Sequence, residues 1–112
     1  MMTAEAMKVA HRTILRAMEM AGPLAAETEN DAFLQQVLEH FAEEEREVYP
    51  IAQATGWTGG SVVSELRYQH QTLRQTFLDA VQNEKSWERF DQQIREHFSA
   101  EELLVFPLII DT

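Results

Sequence analysis

A chain of 112 residues, 45% hydrophobic and 25% charged, suits a single domain spanning residues 1–112 around one core. It has no cysteine, which excludes disulfides, zinc–thiolate sites and thiol chemistry, and no apolar run nears the roughly 18 residues of a membrane span. Nine basic against nineteen acidic residues give a net charge of −10, which argues against nucleic acid as a partner and is compatible with a protein that holds cations.

Met1-Met2-Thr3-Ala4-Glu5 lacks the basic and apolar regions of a signal peptide, so a cytoplasmic protein is expected. Turn residues then divide the chain into four helical segments. The first runs from about Thr3 to Met20, with the stripe Met7, Ile14, Leu15 and Met18, and stops at Gly22-Pro23. The second starts after Asn30 or Asp31 and runs to about Ala54, with Phe33, Val37, Phe41, Val48 and Ile51 on one face. Gly56, Gly59 and Gly60 mark the next break. The third runs from near Ser61 to about Asn83, with Val63, Leu66, Leu73, Phe77 and Val81 on its stripe. The fourth, with Ser86 as N-cap, reaches about Pro107 and carries Phe90, Ile94, Val105 and Leu108. Connections this short join antiparallel neighbours, which predicts an all-α, up-down-up-down four-helix bundle. Met7, Met18 and Met20 are expected as core filler. Pro50 and Pro107 should stop or kink their helices, because proline removes a donor and crowds the carbonyl four residues back, that of Arg46 or Leu103.

An eleven-residue frame recurs. His40 to Pro50 and His97 to Pro107 share the frame His-Phe-x-x-Glu-Glu-x-x-Val-aromatic-Pro. Residues four apart share a helix face, so each His and the Glu four after it can reach one cavity. Every helix carries one histidine on its apolar stripe: His11, His40, His70 and His97. Glu44 and Glu101 lie on the stripes too. Burying two carboxylates among imidazoles is costly without a counter-charge, and a dinuclear metal centre supplies one. The other glutamates, Glu43, Glu45, Glu47 and Glu102, are expected on a solvated face. Trp57 and Trp87 fit either an exposed partner surface or partial burial.

Four imidazoles and two carboxylates without sulfur suit iron best, with manganese and zinc as competitors. The ferritin-like Glu-x-x-His spacing is absent, since Lys8, Val37, Arg67 and Ile94 precede the histidines by three. His-Glu-x-x-His is absent as well.

At these residues the chain resembles the hemerythrin family, and within it the histidine/glutamate (HHE) cation-binding domains of bacteria. The resemblance covers nearly the whole chain: His11 in Ala-His-Arg-Thr-Ile-Leu, His40-Phe41-x-x-Glu44-Glu45, Gln69-His70-x-x-Leu73-Arg74, and His97-Phe98-x-x-Glu101-Glu102 with Phe106-Pro107. It implies two iron ions, one on His11 and His40 and the other on His70 and His97. Glu44 and Glu101 would bridge them, together with an oxo, hydroxo or water ligand. Oxygen-carrying hemerythrins have a further histidine where this chain has Arg74. The four-His, two-Glu set is more similar to iron-centre repair proteins and to iron- or oxygen-responsive domains.

The resemblance implies a module that binds or senses O2, nitric oxide or iron. The alternative is a redox enzyme that reduces nitric oxide or peroxide, or oxidises ferrous iron. No electron-donor site is legible, and the sequence does not specify an oligomeric state. Loss of metal should loosen the bundle through repulsion between Glu44 and Glu101.

Overall fold

Apolar stripes of period 3.6 need partners, and four such stripes close on one another as a bundle. The computed structural model describes residues 3–22, 31–55, 57–81 and 83–109. These form four rods. The first is α1 (Ala4–Ala21). The second joins α2 (Asp31–Glu43), a π-helical turn (Glu44–Val48) and α3 (Tyr49–Gln53). The third is α4 (Trp57–Ala80). The fourth joins α5 (Glu84–Ala100), a second π-helical turn (Glu101–Val105) and α6 (Phe106–Ile109). Ile14 and Met18 late in α1 pack with Phe33 and Val37 early in α2, Phe77 and Ala80 late in α4, and Trp87 and Phe90 early in α5. Neighbouring rods therefore alternate in direction, as expected of the all-α bundle. No helix among the described residues is long and apolar enough to cross a membrane.

Local chemistry sets the rod ends. Thr3 Oγ1 accepts the Ala6 N–H at 3.1 Å and caps α1. Gly22, at φ 56°, closes it with its N–H on the Met18 carbonyl, a conformation that favours glycine. Pro23, Asn30 and Gly56 lie outside the described residues, as does the side chain of Trp57. Gly59 and Gly60, expected in a break, instead belong to the first turn of α4, where N–H groups have no intrahelical partner to lose. α4 ends at Ala80 rather than near Asn83. The cap of α5 is Asn83, not Ser86: Asn83 is extended and its Oδ1 accepts the Ser86 N–H at 3.1 Å, which places Ser86 inside the first turn.

Neither Pro50 nor Pro107 stops its rod. Before each, the helix widens to five-residue bonding, Tyr49 N–H to Glu44 O and Phe106 N–H to Glu101 O. The wider turn relieves the crowding of a proline ring on the carbonyl four residues back, and the helix continues. It also advances the inward face. Tyr49, Ala52, Phe106 and Ile109 are buried, while Ile51 is only half-buried and Leu108 is exposed. Val81 and Met20, expected inside, are exposed too: one follows the end of α4, and the other lies off the stripe of α1.

Candidate metal centre

Two apolar clusters fill the ends of the bundle, and a polar layer lies between them. α1 contributes His11, α2 His40, α4 His70 and α5 His97. Glu44 and Glu101 are the first residues of the two π-turns. All six are buried, with His40 the most accessible at 5%. The six side chains expected to share one cavity do so. They form two overlapping groups, His11–His40–Glu44–Glu101 and Glu44–His70–His97–Glu101, each with ligating atoms within 4.8 Å of one another.

The spacing of those atoms suits cations. Glu44 Oε2 is 3.2 Å from His40 Nε2 and 3.5 Å from His11 Nε2, while Glu44 Oε1 is 3.2 Å from His70 Nε2. Glu101 Oε1 is 3.1 Å from His11 Nε2 and 3.5 Å from His97 Nε2. An octahedral cation with bonds of about 2.1 Å has ligand edges of about 3.0 Å, so these distances are close to those of cis ligands. His40 Nε2 and Glu101 Oε1 have carboxylate or imidazole neighbours at such distances, yet neither is aligned for a hydrogen bond. Buried polar atoms without partners are rare, and a cation between them would satisfy both. The residues present fit a metal.

Outer contacts fix three of the rings. His11 Nδ1 lies 2.8 Å from Glu102 Oε2, His70 Nδ1 3.3 Å from Glu45 Oε2 and His97 Nδ1 2.8 Å from Gln69 Oε1. Donation through Nδ1–H leaves the Nε2 lone pairs facing the centre. The lone pairs of His70 and His97 then meet at 3.1 Å, an arrangement a cation would relieve. Glu45 and Glu102 thus do more than form the solvated face expected of them: each is partly exposed but turns one oxygen inward to an imidazole. Helical spacing does not single out Gln69 or Tyr49 as site residues, and the doubled Glu-Glu of the repeat is the available signal for Glu45 and Glu102. Arg74 is exposed.

A pseudo-twofold relation runs through these contacts. Glu45 backs His70, and its repeat counterpart Glu102 backs His11. Phe41 stacks on His70 with centroids 4.0 Å apart, and Phe98 stacks on His11 at 3.8 Å. Each copy of the motif covers a histidine on another rod, so the repeat dictates one half of the layer and then the other.

Burial governs the charge states. Desolvation, reinforced by His11, lowers His40 to about 4, and desolvation with His97 lowers His70 to about 3, so both rings are neutral near pH 7. Burial and the charge of Glu101 raise Glu44 well above the usual carboxylate range. Burial pushes Glu101 the same way, but its neighbours Glu44, His11 and His97 outweigh burial and hold Glu101 low. Of the two acids, Glu44 is therefore the one that holds a proton more readily. Burial and the two carboxylates also push Tyr49 far up, so its hydroxyl remains a donor.

Among the described residues, two grooves reach the layer. One of about 240 Å³ runs between α4 and α5 past Gln69 and Leu73 to His97, and one of about 200 Å³ runs between α1 and α2 to His40. A larger groove along α1, past Arg12 and Arg16, touches none of the six residues.

A family model described as the hemerythrin HHE cation binding domain matches residues 2–109. No match was found among curated proteins or among solved structures.

Proposed function

The chain belongs to the hemerythrin HHE cation-binding family, and on that premise we propose that it is a non-haem di-iron protein that binds or senses O2, nitric oxide or iron. The observation that carries this reading is Glu44, which from the middle of a buried layer turns Oε2 to His11 and His40 and Oε1 to His70. One ion would be held by His11, His40 and the two glutamates, the other by His70, His97 and the same glutamates. All-nitrogen-and-oxygen donors in six-coordinate spacing favour iron over a four-coordinate structural zinc, with manganese as the nearest competitor. Iron held there supplies Lewis-acid and redox chemistry towards small diatomic molecules.

The residues of this chain have separate tasks. His40 and His70 are already neutral and offer nitrogen without losing a proton. Glu44, whose carboxyl burial pushes up, would have to be ionised to serve as a ligand. Glu102, Glu45 and Gln69 hold three imidazoles in the tautomer that faces inward, and Phe41 and Phe98 cover two rings and exclude water. Small molecules would reach the layer along the grooves that end at His97 and His40.

Elemental analysis of protein produced with iron tests the reading. The expected result is about two iron per chain, and less than about one would sink it. Stopped-flow mixing of the reduced protein with O2 then separates binding from turnover. A spectral change that reverses when O2 is removed supports carriage or sensing; irreversible oxidation supports the redox-enzyme alternative.

A further inference from the structure

Although the two halves of the layer match in their stacking phenylalanines and outer glutamates, two positions break the match, and both lie on the His70–His97 side. Gln69 precedes His70, whereas Ala10 precedes His11. Tyr49 follows the first π-turn, whereas Phe106 follows the second. Both aromatic residues are fully buried and lie alike against a histidine, Tyr49 against His70 at 5.5 Å and Phe106 against His11 at 5.3 Å. Packing alone would be met by phenylalanine at either place. A buried hydroxyl is costly without partners, so the bonds it makes are the relevant difference.

Those bonds go to the centre. The Tyr49 hydroxyl donates to Glu101 Oε2 at 2.6 Å, and its oxygen lies 3.1 Å from His70 Nε2. Arg67 sits over the Tyr49 ring, 5.9 Å from its centroid. Glu44 and Glu101 are therefore unlike despite their equivalent places in the repeat. Glu44 turns Oε2 to His11 and His40 and Oε1 to His70. Glu101 turns only Oε1 to His11 and His97, because Oε2 is taken by the phenol.

We infer that Tyr49 is a positioning residue that confines Glu101 to ligation through one oxygen, so that a sequence-duplicated site holds two inequivalent metal ions. The inference rests on the di-iron reading. Without the hydroxyl, Glu101 Oε2 is free to turn inward as Glu44 does, and the two metal positions become more alike.

Mössbauer spectra of the 57Fe-loaded protein and of Tyr49→Phe test this. Wild type should show two quadrupole doublets of equal area and different splitting. Tyr49→Phe should keep about two iron per chain while the difference in splitting narrows. Loaded protein whose doublets ignore the substitution overturns this inference alone, whereas wild type that takes up no iron overturns the di-iron reading with it. A second measurement needs no change at position 49. The near-UV tyrosine band should shift on metal loading and shift equally in Tyr68→Phe, since Tyr68 is exposed. A band indifferent to metal, or a shift that vanishes with Tyr68, overturns the proposal.

Discussion

At the end of the bundle near Ala80 and Trp87, four regular α-helical stripes meet as an aromatic core. Phe33 lies 5.8 Å from Phe77, Phe77 stands edge-on to Phe90 at 5.2 Å, and Trp87 packs on Phe90 at 5.6 Å. At the other end, Met7, Val48, Val63, Leu66 and Val105 surround Tyr49 and Phe106, which reach their places through π-turns. The first end stabilises the fold by burial and has no polar duty. The second is geared to the metal layer, because the turn that presents Glu44 also sets Tyr49, and the turn that presents Glu101 also sets Phe106. Substitutions at the two ends should therefore separate stability from metal binding.

The largest effect belongs to the layer itself. Glu44→Ala removes one of the two carboxylates that both groups share, so iron content should fall below about one per chain. Stability that depends on metal, about 4 kcal/mol at metal a thousandfold above Kd, should vanish with it. Thermal unfolding with and without iron measures this, and a metal-dependent rise in Tm that persists in Glu44→Ala would contradict it. Met18→Ala is the opposite case. Met18 is buried in the aromatic end, so truncation should cost about 3 kcal/mol of metal-free stability and leave about two iron per chain. Loss of iron from a folded Met18→Ala protein would show that the ends are not separable.

A smaller effect concerns protons. Burial and the charge of Glu101 push the Glu44 carboxyl well above the usual carboxylate range, so it holds its proton closer to neutral pH than an ordinary glutamate does. His40 and His70, lowered to about 4 and 3, are already deprotonated there. A ligating carboxylate must be ionised, so below the raised Glu44 pKa metal uptake releases its proton and affinity rises with pH, by about tenfold per unit. Metal titration in weak buffer with a pH readout should find about one proton released per pair of ions. Release of none would mean that Glu44 is ionised before metal arrives.

Much of the α-helical portion was legible in sequence. A period of 3.6 puts His11, His40, Glu44, His70, His97 and Glu101 on the same stripes as Ile14, Val37, Leu73 and Ile94. What periodicity could not give was the extra residue in each π-turn. Counting three on from Val48 and Val105 leads to Ile51 and Leu108, whereas Ala52 and Ile109 are the buried residues. The same shift hid Tyr49 as a site residue. Outer contacts escaped for another reason: Glu45 and Glu102 are partly exposed, and nothing in the spacing separates a glutamate that bends back to an imidazole from one that points to water.

Pro50→Ala tests what holds the widened turn, and its expected effect is the smallest. Two causes are possible, the proline that cannot accept α-helical geometry and the packing that draws Tyr49 inward. Alanine at 50 restores an N–H and permits ordinary α-helical bonding to the Arg46 carbonyl. Relaxation to that geometry would turn α3 back by about one position, swinging Tyr49 off Glu101 and replacing buried Ala52 with Ile51. Loss of a buried hydroxyl bond and of matched packing costs more than one added backbone bond returns. The turn should therefore survive, with a stability change within about 1 kcal/mol that arises mainly in the unfolded chain. Iron content and the Mössbauer doublets should match wild type. Merged doublets in Pro50→Ala would instead assign the turn, and through it the position of Tyr49, to the proline.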